Sequence, residues 1–240
     1  MSERKIIEYK YDFETHYKDL SKICHEIINS VALINSSYQY IDARYPESHE
    51  FKFWNTLGNS VRNLTCLMKR TTLCRYSHFP NKEIISIGQI VDNALAKLEE
   101  YSDSSILNVI SVSSNIDSNT PVLCDAEHTS QAMTELITNA YEAQLDTEQL
   151  DTDAPWIKVN ISSKDDLLAI TVTNPGSIDV NQLYQNLASA LYTTKDNHSG
   201  LGLFIVKSTC SSHGGSLIIE SDDDTTSATM TLSLKADQSV

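Results

Sequence analysis

Two apolar stripes at helical spacing constrain the first part of this chain. Leu20, Ile23, Ile27, Val31, Ile34, Tyr38 and Ile41 follow one another at steps of three and four, and Trp54, Leu57, Val61, Leu64 and Met68 repeat the pattern. Such steps return to one face of a helix. Arg44-Tyr45-Pro46 breaks the rhythm between them. Two helices joined by a short turn form an antiparallel hairpin. With a seam on each helix, a lone hairpin buries both poorly, and pairing two copies into a four-helix bundle solves this. A homodimer is therefore expected; the alternative is a hairpin packed on the rest of the chain.

Past Pro80 the rhythm changes. The spacing predicts helices over Gln89–Tyr101, Ala126–Gln144, Asp179–Ala190 and Gly200–His213, the last stopped by Gly214-Gly215. Alternation predicts strands over Ile106–Ser114, Val122–Cys124, Ser216–Glu220 and Ala228–Leu234. It also predicts a hairpin of Ile157–Ile161 with Leu167–Thr173 around Lys164-Asp165-Asp166. Hairpins mixed with helices point to an α+β fold whose C-terminal part is a two-layer α/β sandwich, not a doubly wound parallel sheet. The expected boundary divides residues 1–80 from 81–240.

A net charge of −14 repels phosphate backbones and anionic membranes, so nucleic acid is not expected as a partner. A nucleotide is not excluded, because it binds through local donors and a cation. The five cysteines are odd in number and form no CxxC or zinc-knuckle spacing, which suits buried thiols in a reducing, cytoplasmic setting. Met-Ser-Glu-Arg-Lys does not open a signal peptide, and no run approaches the roughly 20 apolar residues of a membrane span, so no membrane insertion is expected.

Four stretches after Pro80 carry chemistry. Ser199-Gly200-Leu201-Gly202-Leu203 places two glycines at a helix start, where backbone N–H groups can approach a phosphate closely. Glu135, Asn139 and Glu142 share one face of a helix whose other face is apolar. An asparagine oxygen suits Mg²⁺, and a nearby carboxylate can orient water or the metal shell. Asn174-Pro175-Gly176-Ser177-Ile178 ends a strand in a tight turn. Tyr192-Thr193-Thr194-Lys195 precedes the glycine pair as a polar loop able to close over a nucleotide.

In order and spacing these four elements resemble the ATP-binding domain shared by histidine kinases, DNA gyrase, mismatch-repair ATPases and the large heat-shock chaperone. The resemblance spans about residues 85–235. It implies Asn139 at Mg²⁺, Asn174 and Gly176 at adenine, Thr194 and Lys195 in the ATP lid, and Gly200, Leu201, Gly202 and Leu203 at the phosphates. The chain departs from the family pattern in places. Asparagine stands at 174 in place of aspartate, which weakens a hydrogen bond from the adenine amino group. The second glycine of that box is missing near Ile178. Glu135 stands where most histidine kinases have asparagine, and resembles the water-activating base of the gyrase branch.

Upstream, Ile23-Cys24-His25-Glu26-Ile27-Ile28-Asn29 lies on the first predicted helix. Ile23 and Ile27 face the seam, so His25 between them points outward. Glu26 can take the second ring proton and sharpen the attacking nitrogen, and Asn29 can position a water. This His-Glu-x-x-Asn box resembles the phospho-acceptor site of histidine kinases, with Ser30 in place of the proline that bends the helix. The resemblance implies a soluble kinase core, with residues 1–80 for dimerisation and phospho-acceptance and 81–240 for ATP binding. It would move the γ-phosphoryl of ATP to His25, then to an aspartate of a response-regulator receiver domain. Two alternatives are a histidine phosphotransfer or scaffold protein with a degenerate ATP site, and a gyrase-like ATPase that uses Glu135.

Overall fold

The computed structural model describes residues 13–76, 80–101, 104–145, 155–180, 183 and 200–234. The chain forms two compact units, Met1–Thr72 and Leu73–Val240. No described helix is long and apolar enough to cross a membrane.

The first unit holds α1 (Phe13–Arg44) and most of α2 (Trp54–Tyr76), joined through a 3-10 turn at Pro46–Glu50. Pro46 ends α1: a residue before proline is driven out of the helical region, and Tyr45 has φ −127° and ψ 79°. The Trp54 indole N–H donates to Asp42 at 2.7 Å, and its ring stacks on Tyr38 with centroids 4.8 Å apart. Gly58 lies against Tyr38, and any Cβ there would collide with the phenol. Stepping four residues back along α1, from Asp42 to Tyr38, thus steps four forward along α2, from Trp54 to Gly58. The helices are antiparallel, as the stripes predict.

The single stripe read on α1 divides into two neighbouring faces. Val31, Tyr38 and Asp42 turn inward with half-buried Cys24 and Ile28, and on α2 Trp54, Gly58 and Val61 are buried. Ile23, Ile27, Ile34 and Ile41 stay exposed at 52, 43, 49 and 38%, and so do Leu57 and Leu64. Steps of three and four define a band wider than one seam, so spacing alone merges adjacent faces.

In the second unit a five-stranded sheet runs in the order β2-β4-β5-β7-β6. Its strands are β2 (Ile110–Ser114), β4 (Ile157–Lys164), β5 (Leu167–Pro175), β6 (Leu217–Ser221) and β7 (Thr225–Ser233). Only the β2–β4 pair is parallel. Burial alternates along β4 and β5, so one sheet face is covered and the other is not. The covering layer is α3 (Ile87–Tyr101), α4 (Ala126–Leu145) and α5 (Gly202–Ser212). Leu98, Met133, Ile137, Ile161, Ile170, Val206 and Met230 belong to one core between the layers. This is the α+β sandwich read from the sequence. The β4–β5 turn uses Asp165 and Asp166 at φ 51° and 61°, the paired left-handed residues of a two-residue hairpin.

Several boundaries differ from expectation. Residues Ser104–Val109 form a 3-10 turn, and the strand begins only at Ile110. Fully buried Ile106 anchors that turn, because an apolar residue marks burial without fixing backbone shape. A short strand, β1 (Glu83–Ser86), pairs antiparallel with β3 (Pro121–Cys124) and was not expected, since Ile84 and Ile85 stand side by side and show no alternation. Helix α5 starts at Gly202, because Gly200 has φ 64° and cannot be helical. It stops as predicted. Gly214 is left-handed at φ 67°, Gly215 N–H donates to the Cys210 carbonyl at 2.9 Å and Gly214 N–H to that of Ser211 at 3.2 Å. Most of the predicted helix Asp179–Ala190 lies outside the described residues.

A buried polar cluster joins the start of α4 to the end of α5. The Asp125 carboxylate caps α4 by accepting from His128 N–H at 2.9 Å, and accepts from Asn81 N–H at 2.8 Å. The Asp125 N–H donates to His213 Nε2 at 2.9 Å, and His213 Nδ1–H donates to the Thr209 carbonyl at 2.7 Å. Burial pushes the His213 imidazole below its ordinary value, against the pull of that Thr209 bond. Burial alone would raise Asp125, but the hydrogen bonds from His128 and Asn81 outweigh it and hold its carboxyl low.

Both depressed groups stabilise the fold above their unfolded values and lose that contribution as pH falls. His213 begins to lose it below about 6.5, and Asp125 only in the carboxylate range. The melting temperature of the chain is expected to drop between about pH 7 and about pH 5, and His213→Gln to flatten that slope. An unchanged slope in the variant would refute the assignment to His213. A Cβ on Gly215 would collide with the Thr231 backbone carbonyl, so Gly215→Ala is expected to cost roughly 1–3 kcal/mol in urea unfolding.

Candidate functional site

The cluster at Asp125 and His213 ties the first turn of α4 to the last turn of α5. The two helices pack antiparallel, so later turns of α4 meet the start of α5. There the structure brings together two of the sequence elements. A Cβ built on Gly202 would lie 2.8 Å from Glu135 Oε2 and 3.7 Å from Asn139 Nδ2. Only glycine fits that approach without displacing the carboxylate. Glu135 is 1% exposed, while Asn139 and Glu142 are half-buried. Gln131, one turn earlier, donates from Nε2 to Glu135 Oε1 at 2.9 Å, so the two carboxylate oxygens have separate surroundings.

The start of α5 is shaped to meet an anion. Gly200 takes a left-handed conformation, and buried Leu201 pins the loop, its carbonyl accepting from Ile205 N–H at 2.9 Å. Among the described residues no side chain caps the helix, and its first turn carries no acidic residue. The opening N–H groups thus have no side-chain cap among the described residues, and the helix dipole adds partial positive charge. Leu203 packs partly against the core and holds the first turn in place. Such a terminus can accept phosphate oxygens, and Asn139, whose Nδ2 lies nearest Gly202, also carries an amide oxygen of the kind that hard cations take.

The third element closes the end of β5. Asn174 is 8% exposed and donates from Nδ2 to the Pro175 carbonyl at 2.7 Å. The same carbonyl accepts from Gln144 Nε2, which reaches it from the last turn of α4. Gly176 needs its freedom at φ 93°; its N–H donates to the Asp224 carbonyl at 2.8 Å, and its own carbonyl accepts from Thr226 Oγ1 at 2.7 Å. Thr226 stands opposite Asn174 in the β5–β7 ladder.

Gln131, Gln144 and Thr226 were not singled out from the sequence. Gln144 carried a usable signal. It lies on the apolar face of α4 with Met133, Leu136, Ile137 and Ala140, and a buried amide there needs a partner. Thr226 shows its role only through strand register. Thr194 and Lys195 lie outside the described residues. In the first unit His25, Glu26 and Asn29 are all exposed on α1, which runs unbroken past Ser30; Ser30 Oγ donates to the Glu26 carbonyl at 2.9 Å.

Comparison with known proteins agrees with this geometry. The family described as histidine kinase-, DNA gyrase B-, and HSP90-like ATPase matches residues 124–238. The sensor protein FixL of Bradyrhizobium diazoefficiens is 31% identical over 101 residues, which cover 42% of this chain and 19% of that protein. The chain therefore spans about a fifth of that relative's length. Among solved structures, the Acinetobacter baumannii histidine kinase AdeS superposes with a TM-score of 0.54 at 17% identity, over 87% of this chain and 97% of that one. Full-length ShkA in complex with AMPPNP gives 0.68 at 14% identity, over 91% of this chain and 46% of that one. At such identities the structural likeness shows the fold. Residues 124–238 thus resemble the ATP-binding domain of the histidine kinase-, DNA gyrase B- and HSP90-like ATPases, and the chain shares the fold of a histidine kinase core.

Proposed function

We propose that this chain is a histidine kinase core, which moves the γ-phosphoryl group of ATP to His25 and then to an aspartate of a response-regulator receiver domain. The observation that carries the reading is an exposed His25 on a helical hairpin upstream of an ATP-binding domain. His25 lies beyond the inner seam of Cys24 and Ile28, and on the side of α1 away from the exposed isoleucines. It stays accessible if a second copy covers Ile23, Ile27, Ile34 and Ile41. That second copy, joined through those residues and Leu57 and Leu64, is the homodimer we propose.

In this reading the start of α5 holds the phosphates through backbone N–H groups of the Gly200–Leu203 stretch. Asn139, with Glu135 beside it, fits a Mg²⁺ ion; when bound, that ion neutralises charge on the phosphate oxygens. Asn174 and Gly176 meet adenine. A neutral His25 nitrogen attacks the γ-phosphorus, the P–N bond forms as the bond to the β-phosphate oxygen breaks, and ADP leaves. Glu26 accepts the ring proton, and positioning supplies most of the rate enhancement. Asn29, one turn from His25, suits a water that later hydrolyses the phosphorylated receiver. The phosphotransfer takes place in the cytoplasm.

One observation favours a second reading. Glu135 is buried with one oxygen turned to the helix start, where it could activate water for ATP hydrolysis. Incubation with γ-labelled ATP and Mg²⁺ separates the two. Acid-labile, base-stable label is expected on the protein and is expected to vanish in His25→Gln and Asn139→Ala. Phosphate release that survives His25→Gln, without label on the chain, would favour hydrolysis. Absence of both from a folded dimer would leave His25 as an acceptor from a phosphorylated receiver.

A further inference from the structure

The adenine side of the proposed site has an unusual electrostatic problem. An aspartate presents an acceptor whichever way its carboxylate turns. Asn174 presents an acceptor in one orientation and a donor in the other. A freely turning carboxamide would serve a 6-amino purine and a 6-oxo purine alike.

The fold restricts that choice. Asn174 Nδ2 donates to the Pro175 carbonyl, and among the described residues its Oδ1 accepts no hydrogen bond. The Pro175–Gly176 peptide that receives Nδ2 is itself held from two sides. Gln144 Nε2 donates to its oxygen, and its N–H donates to the Asp224 carbonyl at 2.8 Å. The next carbonyl, that of Gly176, is held by Thr226 Oγ1 at 2.7 Å. A carbonyl has two lone pairs, so it can accept from Gln144 and Asn174 together. Gln144 is 8% exposed and comes from α4, the helix that also carries Glu135 and Asn139.

We infer that Gln144 is a positioning residue for base selection: by fixing the Pro175 peptide it holds the Asn174 carboxamide with its oxygen toward the base. The neutral side chain then acts only as an acceptor, and the site takes a purine with a 6-amino group. A 6-oxo purine meets acceptor against acceptor and leaves a buried polar group unpaired. This inference rests on the ATP-site reading of Asn174.

The test compares ATP with inosine triphosphate, a 6-oxo purine nucleotide, titrated with Mg²⁺ into the full chain. The wild type is expected to prefer ATP by at least about tenfold. Gln144→Met keeps the side-chain length but removes the donor, and is expected to bring the ratio to within about threefold. Partial unfolding lowers both apparent affinities together, so the ratio is insensitive to it. Adding Asn174→Asp to Gln144→Met is expected to restore the preference, because a carboxylate needs no orienting. A Gln144→Met variant that weakens both nucleotides equally would make Gln144 merely structural and overturn the inference, as would a wild type that binds both alike. A wild type that binds neither nucleotide would overturn the ATP-site reading itself.

Discussion

Gly202 brings the first turn of α5 so near Glu135 that a single methyl group would lie 2.8 Å from the carboxylate. The site depends on that approach. It sets a carboxylate and an amide beside the N–H groups of a helix start, which gives opposite polarity to the two sides of one small space. A phosphate chain suits the helix side, and a cation suits the carboxylate and amide side. Neither side would attract a nucleotide well without the other, since the chain as a whole carries a charge of −14.

The approach is enforced from a distance. Asp125, His128 and His213 lock the opposite ends of the same two helices, so the site inherits its geometry from a buried polar cluster about two to three turns away on α4. At the other end of α4, Gln144 fastens the helix to the turn after β5. One helix thus connects the phosphate side to the base side, through residues on its two faces. The core-facing residues between, Met133, Leu136, Ile137 and Ala140, keep it seated on the sheet.

What could be read from the sequence follows the strength of local signals. Helix α4, the β4–β5 hairpin and the Gly214-Gly215 stop were legible because each has its own period or its own turn chemistry. Glu135, Asn139, Asn174 and Gly202 were singled out only together: each alone reads as an ordinary polar face, turn or helix start, and it was their order and spacing that resembled an ATP-binding domain. The strand β1 was not, because its two apolar residues, Ile84 and Ile85, are adjacent and do not alternate. The 3-10 turn around Ile106 was not, because burial looks alike in a turn and a strand. The two faces of α1 were merged, since Ile34 and Val31 differ in partner and not in chemistry. Gln131 and Thr226 act through neighbours fixed only by tertiary packing and strand register.

The account stands on the site formed where Gly202 meets Glu135 and Asn139. Calorimetric titration of Mg²⁺-ATP into the intact chain, beside Gly202→Ala, tests it most directly. The account predicts saturable binding of one nucleotide per chain, lost or weakened at least about tenfold in the variant while its melting curve stays cooperative. No heat of binding in the folded wild type, or equal binding by the variant, would contradict it.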